Sequence, residues 1–518
     1  MAKIFMYDEI PAVKTTAGAL KGYFFDKTYV FKGIPYARAG RFQMPEKVTP
    51  WEGELEVASY GMVCPMLHQD EPRGELFVPH RYWPQSEHCQ NLNIWTKSLD
   101  KSAKKPVIVW LHGGGFSMGS SIEQMAYDGA NMCSEGDLVV VSVNHRLNIL
   151  GYLDLEPFGE KYKNSANVGH ADMVAALEWV RDNIESFGGD PSNVTIFGQS
   201  GGGIKCTGLM QIPAANGLFH KAIVMSGVSD GTLLPAPKGN GRKIVEALLA
   251  ELDLDSDVEK LETVPYYELA NAYNKVSPAI AKEGGYIGNA PMANDWYKGE
   301  PLITNLTDHA KTIPFMVGTV FGEFSFGPLQ VSKTEASLDA VTTALTKHFG
   351  ERTPELIDLF KKAYPGKNPA DLFALDKVFR IPSKKLAALA AEQGKAAVYM
   401  YNFTLEFPYR QNKIAWHCAD IPFFFNNTDK VEVANIPDVS DRLEAQIFGA
   451  VKAFAYTGSP NHAGIPHWPK VTPGDEHTMI FDRQCEVRHN YDDELMALLQ
   501  EISPPFSFFT KGDEGIQH

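Results

Sequence analysis

Three Gly-x-Ser-x-Gly pentapeptides in the sequence could each carry a nucleophilic serine. They are centred on Ser117, Ser200 and Ser229. Chance gives roughly 0.2 such matches in a chain of this length and composition, so the spacing alone cannot select one of them. In a nucleophile elbow, the serine occupies a sharp turn between a strand and a helix. The residues on either side of each serine must therefore decide which one is poised for attack.

Only Ser200 has the required neighbours on both sides. The apolar run 194–197 predicts a strand before it, and residues 204–212 predict a helix after it. Ser117 lies in a glycine-dense loop without an immediate helical period. Ser229 follows a predicted strand, but residues 233–235 begin no helix. We therefore predict that Ser200 is the nucleophile.

A glycine-rich loop directly after another predicted strand supplies a second chemical feature. Its sequence is His112-Gly113-Gly114-Gly115-Phe116. Residues without side chains let backbone N–H groups approach a substrate oxygen closely. A phosphate-binding loop would continue with Gly-Lys-Ser/Thr, and a dinucleotide site would need Gly-x-Gly-x-x-Gly opening a helix. The loop therefore favours binding of an ester's developing oxyanion, with His112 supporting the loop.

These groups need a framework, and short apolar runs predict a large sheet. The runs are 107–111, 138–143, 194–197, 222–225, 314–317, 397–401 and 479–481. Continuous apolar runs suit parallel strands covered on both faces. Residues 169–188 show one apolar helical face between two of these runs. Residues 13–31 instead alternate β-forming residues with glycines, which predicts antiparallel hairpins. The expected fold class is α/β.

The organisation predicted for residues 1–518 is a single domain. The chain contains no Ser/Gly-rich linker and no internal repeat. Residues 235–312 and 328–395 are rich in Leu, Ala, Lys and Glu at helical spacing, which indicates helical insertions over one end of the sheet.

Composition and charge exclude several classes of function. Hydrophobic residues make up 44% and charged residues 21% of the chain, as in ordinary globular proteins. A net charge of −15 repels phosphate backbones and anionic lipids, so nucleic acid and membranes are not expected partners. No stretch resembles a signal peptide or a spanning helix, which favours the cytoplasm. Six scattered cysteines form neither a CxxC pair nor a Cys/His cluster, so a structural zinc site has no support. Neither a metal nor a cofactor is expected.

Motifs along most of the chain resemble the type-B carboxylesterase and cholinesterase family of α/β-hydrolases, including its bacterial para-nitrobenzyl-esterase-like members. The matching segments are Phe31-Lys32-Gly33-Ile34-Pro35-Tyr36-Ala37, Ser86-Glu87-His88-Cys89, Leu92-Asn93-Ile94-Trp95, Asn144-His145-Arg146-Leu147, Ser186-Phe187-Gly188-Gly189-Asp190-Pro191 and Tyr456-Thr457-Gly458-Ser459-Pro460-Asn461. The resemblance implies an α/β-hydrolase fold with helices on both faces of a mostly parallel sheet.

The resemblance also implies the partners of Ser200. The family's acid matches Glu323 in Gly318-Thr319-Val320-Phe321-Gly322-Glu323, and its base matches His417 in Trp416-His417-Cys418-Ala419-Asp420. The order serine, acid, histidine is that of α/β-hydrolases. The oxyanion donors would be the N–H groups of Gly114, Gly115 and Gly201. Ser226 matches a serine that supports the triad, and Gln199 replaces the family's usual glutamate before the nucleophile.

The expected function is hydrolysis of carboxylic esters through an acyl-enzyme intermediate. The expected partner is a small-molecule ester substrate, and the uncharged Gln199 favours neutral, fairly apolar esters over choline esters. An amidase or carbamate hydrolase would use the same residues, and a non-catalytic interaction protein could share the fold. Cys64 and Cys89 resemble the family's first disulfide pair, and we expect both to be reduced. The sequence leaves the choice between monomer and homodimer open.

Overall fold

A computed structural model of the protein describes residues 3–67, 83–232, 235–325 and 329–503. Two sequence predictions touch positions outside these ranges. Residues 233 and 234, which follow the third pentapeptide, lie outside the described residues, as does residue 328 at the start of the second helical interval.

Most of the strands have six residues or fewer. They are β1 (Phe5–Met6), β2 (Val13–Lys14), β3 (Ala19–Lys21), β4 (Tyr23–Phe25), β5 (Thr28–Pro35), β6 (Ala37–Arg38), β7 (Glu46–Lys47), β8 (Glu54–Glu56), β9 (Asn91–Thr96), β10 (Lys105–Leu111), β11 (Val139–Val143), β12 (Gly189–Gln199), β13 (Lys221–Met225), β14 (Phe315–Val320), β15 (Val398–Phe403), β16 (Glu406–Phe407), β17 (Lys413–Ile414), β18 (His477–Phe481) and β19 (Glu486–His489).

The α-helices alternate with the central strands and cluster in two later intervals. They are α1 (Ala130–Gly136), α2 (Asn148–Tyr152), α3 (Val168–Asn183), α4 (Gly201–Leu209), α5 (Arg242–Glu251), α6 (Tyr266–Lys282), α7 (Pro301–Thr304), α8 (Leu338–Phe349), α9 (Thr353–Ala363), α10 (Arg380–Gln393), α11 (Ile421–Phe425), α12 (Ser440–Thr457) and α13 (Asp493–Ile502).

A 12-stranded sheet forms the centre of the fold. Its strand order is β1-β4-β5-β9-β11-β10-β12-β13-β14-β15-β18-β19. Strands from β11 to β18 in this order pair in parallel, whereas the N-terminal side and the final β18–β19 pair are antiparallel. The predicted α/β class, with a mostly parallel sheet and an N-terminal antiparallel part, is confirmed.

Two large apolar cores cover the faces of this sheet. Along β10, Ile108 and Trp110 belong to one core, while Val107, Val109 and Leu111 belong to the other. This alternation follows from the two-residue period of a strand. Because both faces are buried, the central strands read as continuous apolar runs, which is why the sequence pattern located them.

The two intervals predicted as insertions contain helices in the structure. The first holds α5, α6 and α7, and the second holds α8, α9 and α10. The division into one domain with two insertions stays a prediction. In the ranges covered by the structure, none of the helices combines the length and apolar character needed to cross a bilayer.

Candidate active site

Ser200 occupies a sharp turn between β12 and α4. Strand β12 ends at Gln199, helix α4 begins at Gly201, and Ser200 has φ 59° and ψ −127°. A non-glycine residue in this region is strained, and such strain is typical of functional turns. The helix starts three residues before the predicted 204–212, because the turn itself leads directly into the first helical residue. The structure thus gives Ser200 the strand–turn–helix setting expected of an elbow.

Glycines around Ser200 are required by backbone contacts. A Cβ on Gly198 would lie 2.3 Å from the Gly202 carbonyl oxygen, and a Cβ on Gly202 would lie 2.0 Å from the carbonyl oxygen of Leu111. Both neighbours are backbone atoms, which cannot move aside as a side chain can. The pentapeptide spacing therefore reflects close packing of the elbow against the end of β10.

The glycine loop after β10 lies directly against the elbow. Gly114 and Gly115 have φ values of 84° and 60°. A Cβ on Gly201 would lie 2.3 to 2.6 Å from backbone atoms of Gly115. Among the described residues, the N–H groups of Gly114 and Gly115 donate no hydrogen bond, and Gly201 begins a helix, where N–H groups lack intrahelical partners. The three N–H groups are therefore available beside Ser200.

Glu323 and His417 lie in contact although 94 positions separate them. Glu323 follows β14, and His417 lies between β17 and α11. His417 Nδ1 is 2.5 Å from Glu323 Oε2. The backbone N–H of His417 also donates to the backbone carbonyl oxygen of Glu323 at 2.5 Å. The Val320 N–H donates to Glu323 Oε1 at 3.0 Å. These bonds fix the imidazole with its Nδ1 side towards the carboxylate, leaving Nε2 to face other groups.

Burial controls the protonation of this pair. It raises the pKa of Glu323 to about 8, opposed by the Ser226 hydroxyl and the Val320 N–H. It lowers the pKa of His417 to about 4, opposed by Asp420 and Asp376. Both shifts disfavour charge, so between these values the two groups carry one shared proton and together are neutral. Groups coupled this tightly titrate as a pair.

Two further buried acids surround the pair. Burial, together with the charge of Glu323, raises the pKa of both Asp376 and Asp420 to about 7. Asp376 accepts N–H bonds at the start of α10, including one of 2.6 Å from Arg380, and Asp420 accepts the Tyr401 hydroxyl at 2.9 Å. A second charge next to Glu323 is thus disfavoured. Sequence reasoning quoted Asp420 only as part of a motif and missed Asp376.

Aromatic rings enclose the imidazole of His417. The Phe324 ring centroid is 4.6 Å from that of His417, and the Phe379 ring stacks on it at 5.6 Å with an interplanar angle of 10°. Phe379 directly precedes α10 in the second helical interval. It is therefore distant in sequence from both Ser200 and the glycine loop. No local pattern in the sequence indicates this contact, and sequence reasoning missed it.

Gln199 and Ser226, both expected near the catalytic residues, are buried beside His417 and Glu323. Gln199 Nε2 is 3.4 Å from each ring nitrogen of His417, and Gln199 Oε1 accepts from Cys418 Sγ at 3.2 Å. Ser226 Oγ makes no hydrogen bond of ordinary geometry within the described ranges, yet it lies close enough to Glu323 to favour its ionised form. Gln199 thus lies against His417, and Ser226 lies beside Glu323.

A buried lysine behind the glycine loop was missed. Lys205 on α4 is fully buried, and its Nζ donates to the His112 carbonyl oxygen at 2.9 Å. Burial lowers its pKa to about 7. His112 Nδ1 lies 2.8 Å from the Gly113 carbonyl oxygen, consistent with its expected supporting role. The available sequence signal for Lys205 was that it is the single charged residue in the otherwise uncharged segment 201–212.

The other two pentapeptide serines lack the elbow geometry. Ser117 lies in the loop after β10, and the buried Ser229 follows β13, where its Oγ accepts from the Gly231 N–H at 3.3 Å. Neither begins a helix. The residues brought together with Glu323 and His417 are therefore those around Ser200.

The thiols of Cys64 and Cys89 are buried and form no disulfide bond in the structure.

Comparison with known proteins places the chain in a family. The model of the carboxylesterase family matches residues 9–499. The chain is 32% identical over 496 residues to para-nitrobenzyl esterase of Bacillus subtilis, covering 93% of this chain and 97% of that protein. It is 32% identical over 498 residues to phenmedipham hydrolase of Pseudarthrobacter oxydans, covering 92% and 96%.

A solved structure extends the similarity to the backbone. An esterase from anaerobic Clostridium hathewayi, described as able to hydrolyse aliphatic aromatic polyesters, superposes with a TM-score of 0.94 at 60% identity, covering 97% of this chain and 100% of that chain. A thermophilic para-nitrobenzyl esterase gives a TM-score of 0.76 at 31% identity, covering 94% and 99%. The chain belongs to the carboxylesterase family of α/β-hydrolases and is a carboxylic ester hydrolase.

Proposed function

We propose that the chain cleaves neutral, fairly apolar carboxylic esters with Ser200 as nucleophile, His417 as general base and Glu323 as the acid that orients it. The observation that carries this proposal is the 2.5 Å contact between His417 Nδ1 and Glu323 Oε2 beside the strained elbow. A carboxylate on Nδ1 fixes the tautomer in which Nε2 can accept a proton. Ser200 is partly exposed at this turn.

The reaction proceeds in two halves. His417 Nε2 takes the Ser200 hydroxyl proton as Oγ attacks the ester carbonyl, and the imidazolium returns that proton to the leaving alkoxide. The Gly114, Gly115 and Gly201 N–H groups receive the oxyanion, and losing one such donor typically costs about 3–4 kcal/mol of barrier lowering. Water, deprotonated by His417, then attacks the acyl-enzyme. The carboxylic acid product leaves as the Ser200 hydroxyl regains its proton from His417.

The side chains around the pair support a neutral substrate. Gln199 brings no charge to the face of His417, and Phe324 and Phe379 add apolar surface around the imidazole. The polyester-degrading relative at 60% identity supports esters that join aliphatic and aromatic units as part of this class. A cytoplasmic location stays a prediction from the sequence.

A second candidate is cleavage of carbamates by the same residues. It is supported by the similarity to phenmedipham hydrolase. A panel of a p-nitrophenyl ester, a p-nitrophenyl carbamate and a p-nitroanilide amide of matched size separates the two functions. We expect kcat/KM to be highest for the ester. A higher kcat/KM for the carbamate would show that carbamates are the preferred substrates.

Chemical labelling tests the nucleophile directly. After treatment with a serine-directed phosphonate, we expect mass spectrometry to place the adduct on the peptide that contains Ser200. Ser200→Ala should abolish both labelling and ester hydrolysis. The matched variants Ser117→Ala and Ser229→Ala should keep both. An adduct on either of those serines, or hydrolysis by Ser200→Ala, would refute the assignment.

A further inference from the structure

Three side chains of types that can bind a metal ion meet at the hairpin of β18 and β19, at the far edge of the sheet. Their ligand atoms, an oxygen of Asp475 and a ring nitrogen each of His477 and His489, all lie within 4.8 Å of one another. His477 Nε2 is 3.3 Å from Asp475 Oδ2, and His489 Nε2 contacts Asp475 Oδ1. The group is separate from the proposed triad and takes no part in the chemistry described above.

Strand register explains why the three side chains share one face. His477 begins β18 and is directly opposite His489, the last residue of β19. Asp475 precedes His477 by two residues, the period at which side chains of an extended segment return to the same side. The intervening Glu476 points the other way, where it accepts from Arg380 at 2.9 Å. The two imidazoles and the Asp475 carboxylate therefore project to the same side of the hairpin.

Hydrogen bonds of the backbone and of the Asn490 side chain hold the three positions in place. Thr472 and Asp475 exchange two bonds of 2.9 and 3.0 Å, closing a turn in which Gly474 has φ 72°. Asn490, next to His489, accepts from the Glu476 N–H at 2.8 Å and donates to the Gly474 carbonyl oxygen at 3.2 Å. The turn and the end of β19 are thus tied together before any ligand binds.

We propose that Asp475, His477 and His489 form a binding site for a divalent first-row transition metal ion of the Zn²⁺ type. Two imidazoles and one carboxylate form a donor set suited to such ions, with water completing the coordination. A metal about 2 Å from each ligand sets the ligand atoms roughly 3.3 Å apart, close to the observed Asp475–His477 spacing.

Access from solvent is open. The side chain of His489 is 58% exposed, and it lines a surface cavity of about 440 Å³ with Lys362, Tyr491 and Glu494. Without a metal, the same groups would form only a surface ion pair, which contributes little to stability. A bound ion would instead link the last two strands of the sheet. The sequence, with no Cys/His motif, gave no reason to expect this site.

Zinc titration of tag-free protein tests the proposal. We expect competition with a fluorescent zinc indicator to reveal one ion per chain, and bound zinc to raise the melting temperature by mass action. His477→Ala and His489→Ala should weaken binding by about tenfold or more, and Asp475→Asn should also weaken it. His467→Ala, at an exposed histidine outside the cluster, should leave affinity unchanged.

Each outcome decides the question. Absence of stoichiometric binding, or equal affinity in the wild type and His489→Ala, would overturn the site. Cobalt supplies an independent readout, because its visible absorption reports coordination by protein ligands and should be lost in His477→Ala. Ester hydrolysis measured in parallel should be the same for all four variants, which keeps this test separate from the test of the proposed triad.

Discussion

The shared proton between Glu323 and His417 leads to a quantitative prediction for the pH dependence of catalysis. His417 can act as a base only when the pair has lost that proton, because otherwise Nε2 carries a hydrogen. Burial raises the pKa of Glu323 to about 8 and disfavours the negative charge that this loss creates. The competent state therefore accumulates as pH rises, and we predict a midpoint in kcat/KM above the ordinary histidine value of about 6.5.

The size of the effect follows from the shift. Raising the pKa of Glu323 from 4.5 to about 8 corresponds to about 5 kcal/mol against the ionised carboxylate. With a midpoint of about 8, kcat/KM should rise about 30-fold between about pH 6.5 and pH 9. A histidine with an ordinary pKa of about 6.5 would give a rise of about twofold over the same interval.

The assay is the hydrolysis of a p-nitrophenyl ester followed at a wavelength where phenol and phenolate absorb equally. Rates are corrected for spontaneous hydrolysis at each pH, and circular dichroism confirms that the protein stays folded. A rise of less than about threefold between about pH 6.5 and pH 9 would show that burial does not control the pair.

Two variants should move the midpoint in opposite directions. Ser226→Ala removes a hydroxyl that favours the ionised Glu323, so the midpoint should rise. Asp420→Asn removes a neighbouring negative charge while an amide oxygen can still accept from Tyr401, so the midpoint should fall. Movement of both variants in the same direction would contradict the electrostatic explanation.

Three further predictions concern the elbow and its support. Lys205→Met leaves the His112 carbonyl oxygen without its donor, so the free energy of unfolding should fall by about 1–3 kcal/mol in denaturant titrations. The value of kcat should fall by a larger factor than KM changes. An unchanged kcat would show that the lysine does not position the loop. Gly202→Ala drives a Cβ into the Leu111 carbonyl oxygen and should cost more than about 3 kcal/mol, whereas Gly40→Ala, which meets only a flexible side chain, should be tolerated. Gln199→Glu should raise kcat/KM for butyrylcholine, relative to that for a neutral butyrate ester, by about tenfold or more. The reason is that unit charges about 4 Å apart interact by about 4 kcal/mol at an effective dielectric of 20. An unchanged ratio would mean that the residue at position 199 does not set the preference for charged substrates.

Apolar runs predicted the central strands well because both faces of those strands are buried. Runs 107–111 and 138–143 correspond to β10 and β11 within two residues. The strand before Ser200 is longer than its apolar run, since β12 begins at Gly189. Its first residues pair with β10 around a register shift, which a count of apolar residues does not detect. Boundaries set by pairing were therefore missed, while the elements themselves were found.

The candidate site divides in the same way. Ser200 and the glycine loop were accessible from local pattern, because an elbow and an oxyanion loop are built from neighbouring residues. Glu323 and His417 were selected only through family resemblance. Their contact arises where Gly322 and Trp416 form a bridge beside the end of β14. A long-range bridge of this kind leaves no periodic trace in either segment.

The hairpin of β18 and β19 shows why such sites escape sequence reasoning. Asp475 and His477 could be placed on one face from their spacing, but His489 joins them only because the register sets it opposite His477. A slip of one residue would turn His489 to the other face of the sheet. Asn490 helps to fix that register through bonds to Gly474 in the turn and to Glu476, which directly precedes β18. Ligand geometry at this edge therefore depends on one asparagine that is itself no ligand, and a sequence motif built from ligands alone cannot include it.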